Sequence, residues 1–105
     1  MRLGDIAHAR TGDKGSLVNI SVIAFDERDY PMLVQHVTAA RVKERFADLV
    51  SGEVVRYEIP SLGALNFVLH GVIGGGVTRT LALDAHGKSL SAALLDLPIT
   101  EDGKD

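Results

Sequence analysis

Asp5–Phe25, DIAHARTGDKGSLVNISVIAF, places two stretches of apolar alternation on either side of a charged, glycine-bounded loop. Val18–Phe25 is a β-rich run, and the looser alternation of Leu3–Ala9 predicts a second strand beside it. Between them, His8, Arg10, Asp13 and Lys14 bring both charge signs and a titratable imidazole. Gly12 and Gly15 let the main chain turn tightly and approach a ligand closely. With the first strand running through Ala9, His8 and Arg10 lie two apart and face one side, and Asp13 and Lys14 occupy the loop. Such a set can grip an anion: arginine offers a planar fork of donors, lysine a mobile point charge, and glycine-flanked amides a nest. Asp13 would orient or neutralise the cations. The plainer alternative is a solvated loop, with Asp13 bonded to its own backbone and Arg10 paired with a nearby acid.

Downstream, a DERD turn leads to Pro31, Met32, Leu33, Val34 and Val37. Thr38 then stands where a helix cap belongs, ahead of Ala39, Val42, Phe46, Leu49 and Val50 at helical spacing. One broken helical region is expected, ended by Gly52. Its polar face, Arg41, Lys43, Glu44, Arg45 and Asp48, suits solvation and local ion pairing. In Glu53–Ile59, Val55, Tyr57 and Ile59 share one side of a strand that Pro60 closes. Leu62, Leu65, Leu69 and Val72 favour a buried helix capped by Ser61, with Gly63 and Gly71 weakening that pattern. Val77–Leu83 predicts a strand after Gly74–Gly76, and Asp84–Lys88 predicts a hairpin turn. Leu90–Ile99 fits either the returning strand or a short helix. The order is ββαβαββ: one α+β domain over residues 1–99 with helices on one sheet face, and a frayed tail at 100–105.

The 105 residues, 46% of them apolar, suffice for one packed core. A formal charge of -3 and few aromatic residues argue against nucleic acid as a partner. The chain contains no cysteine, which excludes disulfides and thiolate chemistry and fits a reducing, cytoplasmic setting. No apolar run reaches the roughly 20 residues of a bilayer span, and MRLGDIAHAR lacks the apolar core of a signal peptide. Membrane insertion and export are not expected.

A second polar group consists of Asn66, His70, Gly74–Gly76 and Arg79, in which Asn66 and His70 would share a helix face. Close helix-on-strand packing explains the glycines equally well. The run lacks GxGxxG and Walker spacing, so no nucleotide cofactor is expected. His8, His36, His70 and His86 show no metal-ligand spacing with Asp5 or Asp13, and no metal is expected either. Ser16, Ser21, Ser61, Ser89 and Ser91 lack the GxSxG elbow of a serine nucleophile. General acid–base work by His8 competes with a role in holding the loop.

The segments LGDIAHARTGDKGSLVNISVIA, EIPSLGALNFVLHGVIGGGVTRTLALDAHGKSL and AALLDLPI resemble the C-terminal ferredoxin-fold domain of the AtuA (acyclic terpene utilisation protein A) family. The diagnostic pieces are ARTGDKG with Asn19 after it, the LNFVLHGVIGGGVTR block, and the DAHGK turn, in that order. The resemblance implies a ferredoxin-like two-layer sandwich with a mainly antiparallel sheet. Simple ferredoxin-like topology is βαββαβ, which differs from the order read above. The resemblance also implies work beside a larger AtuA-like core in catabolism of citronellol, geraniol or related branched acyl compounds. It implies no reaction for the small domain itself.

The chain is therefore expected to be a separate accessory subunit or ligand-binding domain, partnered by an AtuA-like core or by its own copies. Leu94, Leu95 and Leu97 are candidates for a docking surface, with burial in the domain's own core as the alternative. His8, Arg10, Asp13, Lys14, Asn19, Asn66 and Arg79 are the candidate ligand-binding residues. Arg10 and Lys14 would hold a carboxylate or the phosphate of an acyl-CoA. The rivals are a small independent enzyme with its acid–base site at a homo-oligomer interface, and a purely structural interaction module.

Overall fold

The computed structural model describes residues 1–14, 17–72 and 90–99. Strands β1 (Ala7–Lys14) and β2 (Leu17–Ala24) pair antiparallel from Ala7↔Ala24 to Lys14↔Leu17. Leu3–Asp5 is a short 3-10 turn rather than the start of the strand. Gly12, Asp13 and Lys14, expected in a loop, are the last three residues of β1. Each has a partner on β2, so the ladder takes up main-chain groups that an open loop would leave to water.

Strands β3 (Val54–Ile59) and β4 (Ala64–Leu69) are joined by a 3-10 turn at Pro60–Leu62. Gly63 then takes φ 60°, a left-handed conformation that glycine adopts without steric cost. Strand β4 pairs with both β2 and β3, giving among the described residues a four-stranded antiparallel sheet in the order β1-β2-β4-β3. This replaces the helix expected from Ser61 to Val72. Leu65 and Leu69 fit a helical period and a strand period alike, because a gap of four is one turn or two strand repeats. Pairing on both edges makes β4 a strand, in which fully buried Leu65, Phe67 and Leu69 alternate with half-buried Asn66 and Val68.

One sheet face carries Val18, Ile20 and Val22 of β2 and Leu65, Phe67 and Leu69 of β4, all fully buried. Helices α1 (Tyr30–His36), α2 (Ala39–Arg45) and α3 (Leu90–Leu95) complete the same core through Leu33, Val42, Leu90 and Leu94. The result is the α+β two-layer arrangement with helices on one side. Leu90–Ile99, which fitted either element, contains α3. Leu94 and Leu97 are buried in the domain's own core, the alternative to a docking surface, and Leu95 is partly buried against it. Among the described residues the order is ββααββα. Val77–Leu83, the Asp84–Lys88 turn and the 100–105 tail lie outside them.

The helical region breaks at Val37–Thr38 as expected, and Thr38 Oγ1 caps α2 by accepting from Arg41 N at 3.2 Å. Helix α2 ends at Arg45, well short of Gly52. Its polar side chains are not simply solvated. Arg41 donates to His36 O (3.0 Å) and Pro98 O (2.8 Å), Lys43 Nζ to Gly52 O (2.6 Å) and Arg45 Nε to Ala93 O (3.3 Å). They hold neighbouring segments by their carbonyls.

Candidate functional site

Side chains alternate along a strand, so the sheet face opposite the core carries the other half of each strand. The register brings one polar residue per strand into a row across that face: Arg10↔Ser21↔Asn66↔Tyr57. On one side of this row lies Gly12↔Asn19↔Val68↔Val55, and on the other His8↔Ile23↔Ala64↔Ile59. The polar band thus runs between half-buried aliphatic side chains, with Tyr57 53% exposed at the sheet edge.

Asn66 organises the centre. Its Oδ1 accepts from Ser21 Oγ at 3.1 Å and from Asn19 Nδ2 at 3.4 Å. A methyl group at Gly12 would stand 2.8 Å from Asn19 Oδ1, so the missing side chain at Gly12 is what lets the Asn19 carboxamide lie across β1. Among the described residues, Asn66 Nδ2 and the exposed Arg10 guanidinium donate no hydrogen bond. Their main chains are two strand spacings apart, roughly 10 Å, with Ser21 between them.

The fold brings Arg10, Asn19 and Asn66 together and separates the other candidates. His8 lies one row away, its ring stacked on Phe25 at 5.5 Å and 20°. Four strand positions, roughly 13 Å, divide the main chain of Arg10 from that of Lys14, which with Asp13 closes the hairpin ladder. The same separation divides Asn66 from His70, which therefore do not share a helix face as expected. Arg79 and Gly74–Gly76 lie outside the described residues.

Ser21 and Tyr57 were missed. The signal for both was present: each is a polar or amphipathic residue at an alternate position of a recognised strand, on the side that faces away from the helices.

Elsewhere, a depression of about 400 Å³ is lined by Arg41, Glu44, Arg45, Leu97 and Pro98. It lies on the helical side, and its arginines already serve carbonyl oxygens. Among the described residues, no cluster of three His, Asp or Glu is placed to hold a metal ion, and no helix is long and apolar enough to cross a membrane.

The AtuA ferredoxin-like domain matches this sequence over residues 1–100 of 105. The chain belongs to that family. The AtuA ferredoxin-like assignment covers every described element, from the 3-10 turn at Leu3–Asp5 through α3, and agrees with an antiparallel sheet layered against helices. Searches of curated proteins and of solved structures find no significant match.

Proposed function

We propose that this AtuA ferredoxin-like domain is a binding module serving a larger AtuA-like core protein, and that its open sheet face receives an acidic, branched acyl ligand. The observation that carries this reading is the Arg10–Ser21–Asn66–Tyr57 row on a face that, among the described residues, the helices leave uncovered. Arg10 supplies the positive charge for a carboxylate or phosphate, and the Asn66 amide supplies neutral donors held in place by Ser21 and Asn19. Ile23, Val68 and Val55 beside the row give a branched chain apolar contact. His8, stacked on Phe25, supports one wall of the face.

Calorimetric titration of branched acyl-CoA and of the free branched carboxylates into wild type and Arg10→Ala tests the reading. Saturable binding by wild type, weakened about tenfold or more in Arg10→Ala, is the expected result, in line with loss of a charge-assisted hydrogen bond. Equal binding by both, or none by either, removes the ligand. Stoichiometric co-purification with an AtuA-like core protein tests the partner separately. Turnover by the isolated chain that is lost in His8→Ala would replace the module by an enzyme.

A further inference from the structure

Among the described residues strand β3 is an edge of the sheet, and its chemistry is self-complementary. His70 N donates to Glu53 O at 2.9 Å, so Glu53, and by alternation Val55, Tyr57 and Ile59, turn their main-chain groups toward β4. The N–H and C=O groups of Val54, Arg56 and Glu58 therefore point outward, and among the described residues no main-chain bond reaches them. A bare edge of this kind is a template for another strand.

We propose that β3 pairs antiparallel with β3 of a second copy of this chain about a two-fold axis through Tyr57. Four central registers use the outward groups, and the one centred on Val55 sets Arg56 against Val54 with no charge opposite it. The one centred on Arg56 sets arginine against arginine, and the one centred on Glu58 sets glutamate against glutamate. Only the register centred on Tyr57 places Arg56 opposite Glu58 of the second copy, twice by symmetry, with Val55 opposite Ile59. Opposite charges and aliphatic pairs directly across an antiparallel ladder are stabilising, and like charges are not. Glu58 has its carboxylate half exposed and 3.1 Å from Arg56 of its own chain, so the symmetric pairing makes a ladder of alternating charge.

The geometry continues the candidate site across the axis. Tyr57 ends the polar row, so pairing it with its symmetry mate joins two rows end to end on one sheet. The proposal is independent of whether any acyl ligand binds, and its test is run without ligand.

Because the chain has no cysteine, Tyr57→Cys creates a single-thiol protein. Tyr57 would occupy a non-hydrogen-bonded pair with its mate, where the Cβ atoms come close enough for a disulfide. In Val55→Cys the two thiol-bearing positions would be about 13 Å apart along the ladder. The expected results are a dimer mass for wild type by light scattering, and rapid disulfide-linked dimer under mild oxidation for Tyr57→Cys but not Val55→Cys. Glu58→Arg, which sets arginine opposite Arg56 of the second copy twice, should weaken the dimer about tenfold. A monomeric wild type overturns the proposal, as does an oligomer in which Val55→Cys crosslinks as readily as Tyr57→Cys.

Discussion

Gly12 and Asn19 stand directly opposite each other on β1 and β2, and the space that one lacks is filled by the carboxamide of the other. Alanine at position 12 would meet Asn19 Oδ1 at 2.8 Å, and that atom is the end of a side chain that can swing away. Gly12→Ala in the wild-type background should therefore change stability little, while the Asn19 side-chain amide loses its contact with Asn66. In an Asn19→Ala background the obstruction is gone, and Gly12→Ala should stabilise by roughly 0.5 kcal/mol through reduced chain entropy. Urea unfolding of the four proteins closes this double-mutant cycle. The glycine itself was legible in the sequence as a place of close approach. What approaches it was not, because Asn19 reaches Gly12 only through the strand register.

The break between α1 and α2 is an element with its own capping chemistry. Arg56 Nη1 donates to Val34 O at 2.7 Å and to Val37 O at 3.0 Å, satisfying carbonyls that the end of α1 leaves open. Arg56→Met keeps much of the aliphatic stem and removes these donors. It should cost about 1.5–3 kcal/mol, the range for hydrogen bonds from a charged group, with the loss read from chemical denaturation. At the entry to α1, Asp26 accepts from Arg28 N at 2.9 Å and pairs with the Arg28 guanidinium at 2.7 Å. Hydrogen bonds from Arg28 lower the Asp26 carboxyl from 3.8 to about 2. A depressed folded-state value means that this contribution is present above pH 3.8 and lost as pH falls through about 2. Carboxyl NMR should give that midpoint, and Arg28→Ala should return it toward the ordinary value. Thr38 as cap and Pro60 as strand end were readable because each acts on its immediate neighbours. The Arg56 cap was not, since it depends on the folded chain bringing the Arg56 side chain to the end of α1.

At the scale of the whole molecule, stability rests on the core between the sheet and the described helices. Phe67, fully buried at the centre of β4, sits opposite Ile20 and within that cluster. Phe67→Ala should cost about 3–5 kcal/mol, a large share of the ~5–15 kcal/mol that holds a small domain folded. Thermal melting should show a strongly lowered midpoint, whereas truncation of exposed Leu62 should leave it nearly unchanged. The helix expected across β4 traces to this same core. Within Leu62–Val72 the apolar residues satisfy two periods, and only partners on both edges distinguish them.

Short-range chemistry was enough to establish the β-rich runs around the first hairpin, the strand before Pro60, the broken helix with its threonine cap, and the family that the motifs resemble. Those features depend on alternation, φ restriction and capping within a few residues. The pairing of Asn66 with Ser21 and Asn19, 45 and 47 residues away along the chain, required the folded sheet. So did the row from Arg10 to Tyr57 and the outward edge of β3. Register is a relation between strands: a slip of one residue would send every side chain of a strand to the opposite face. Only the packed core, which holds Ile20 against Phe67, selects the alignment that exposes this polar row.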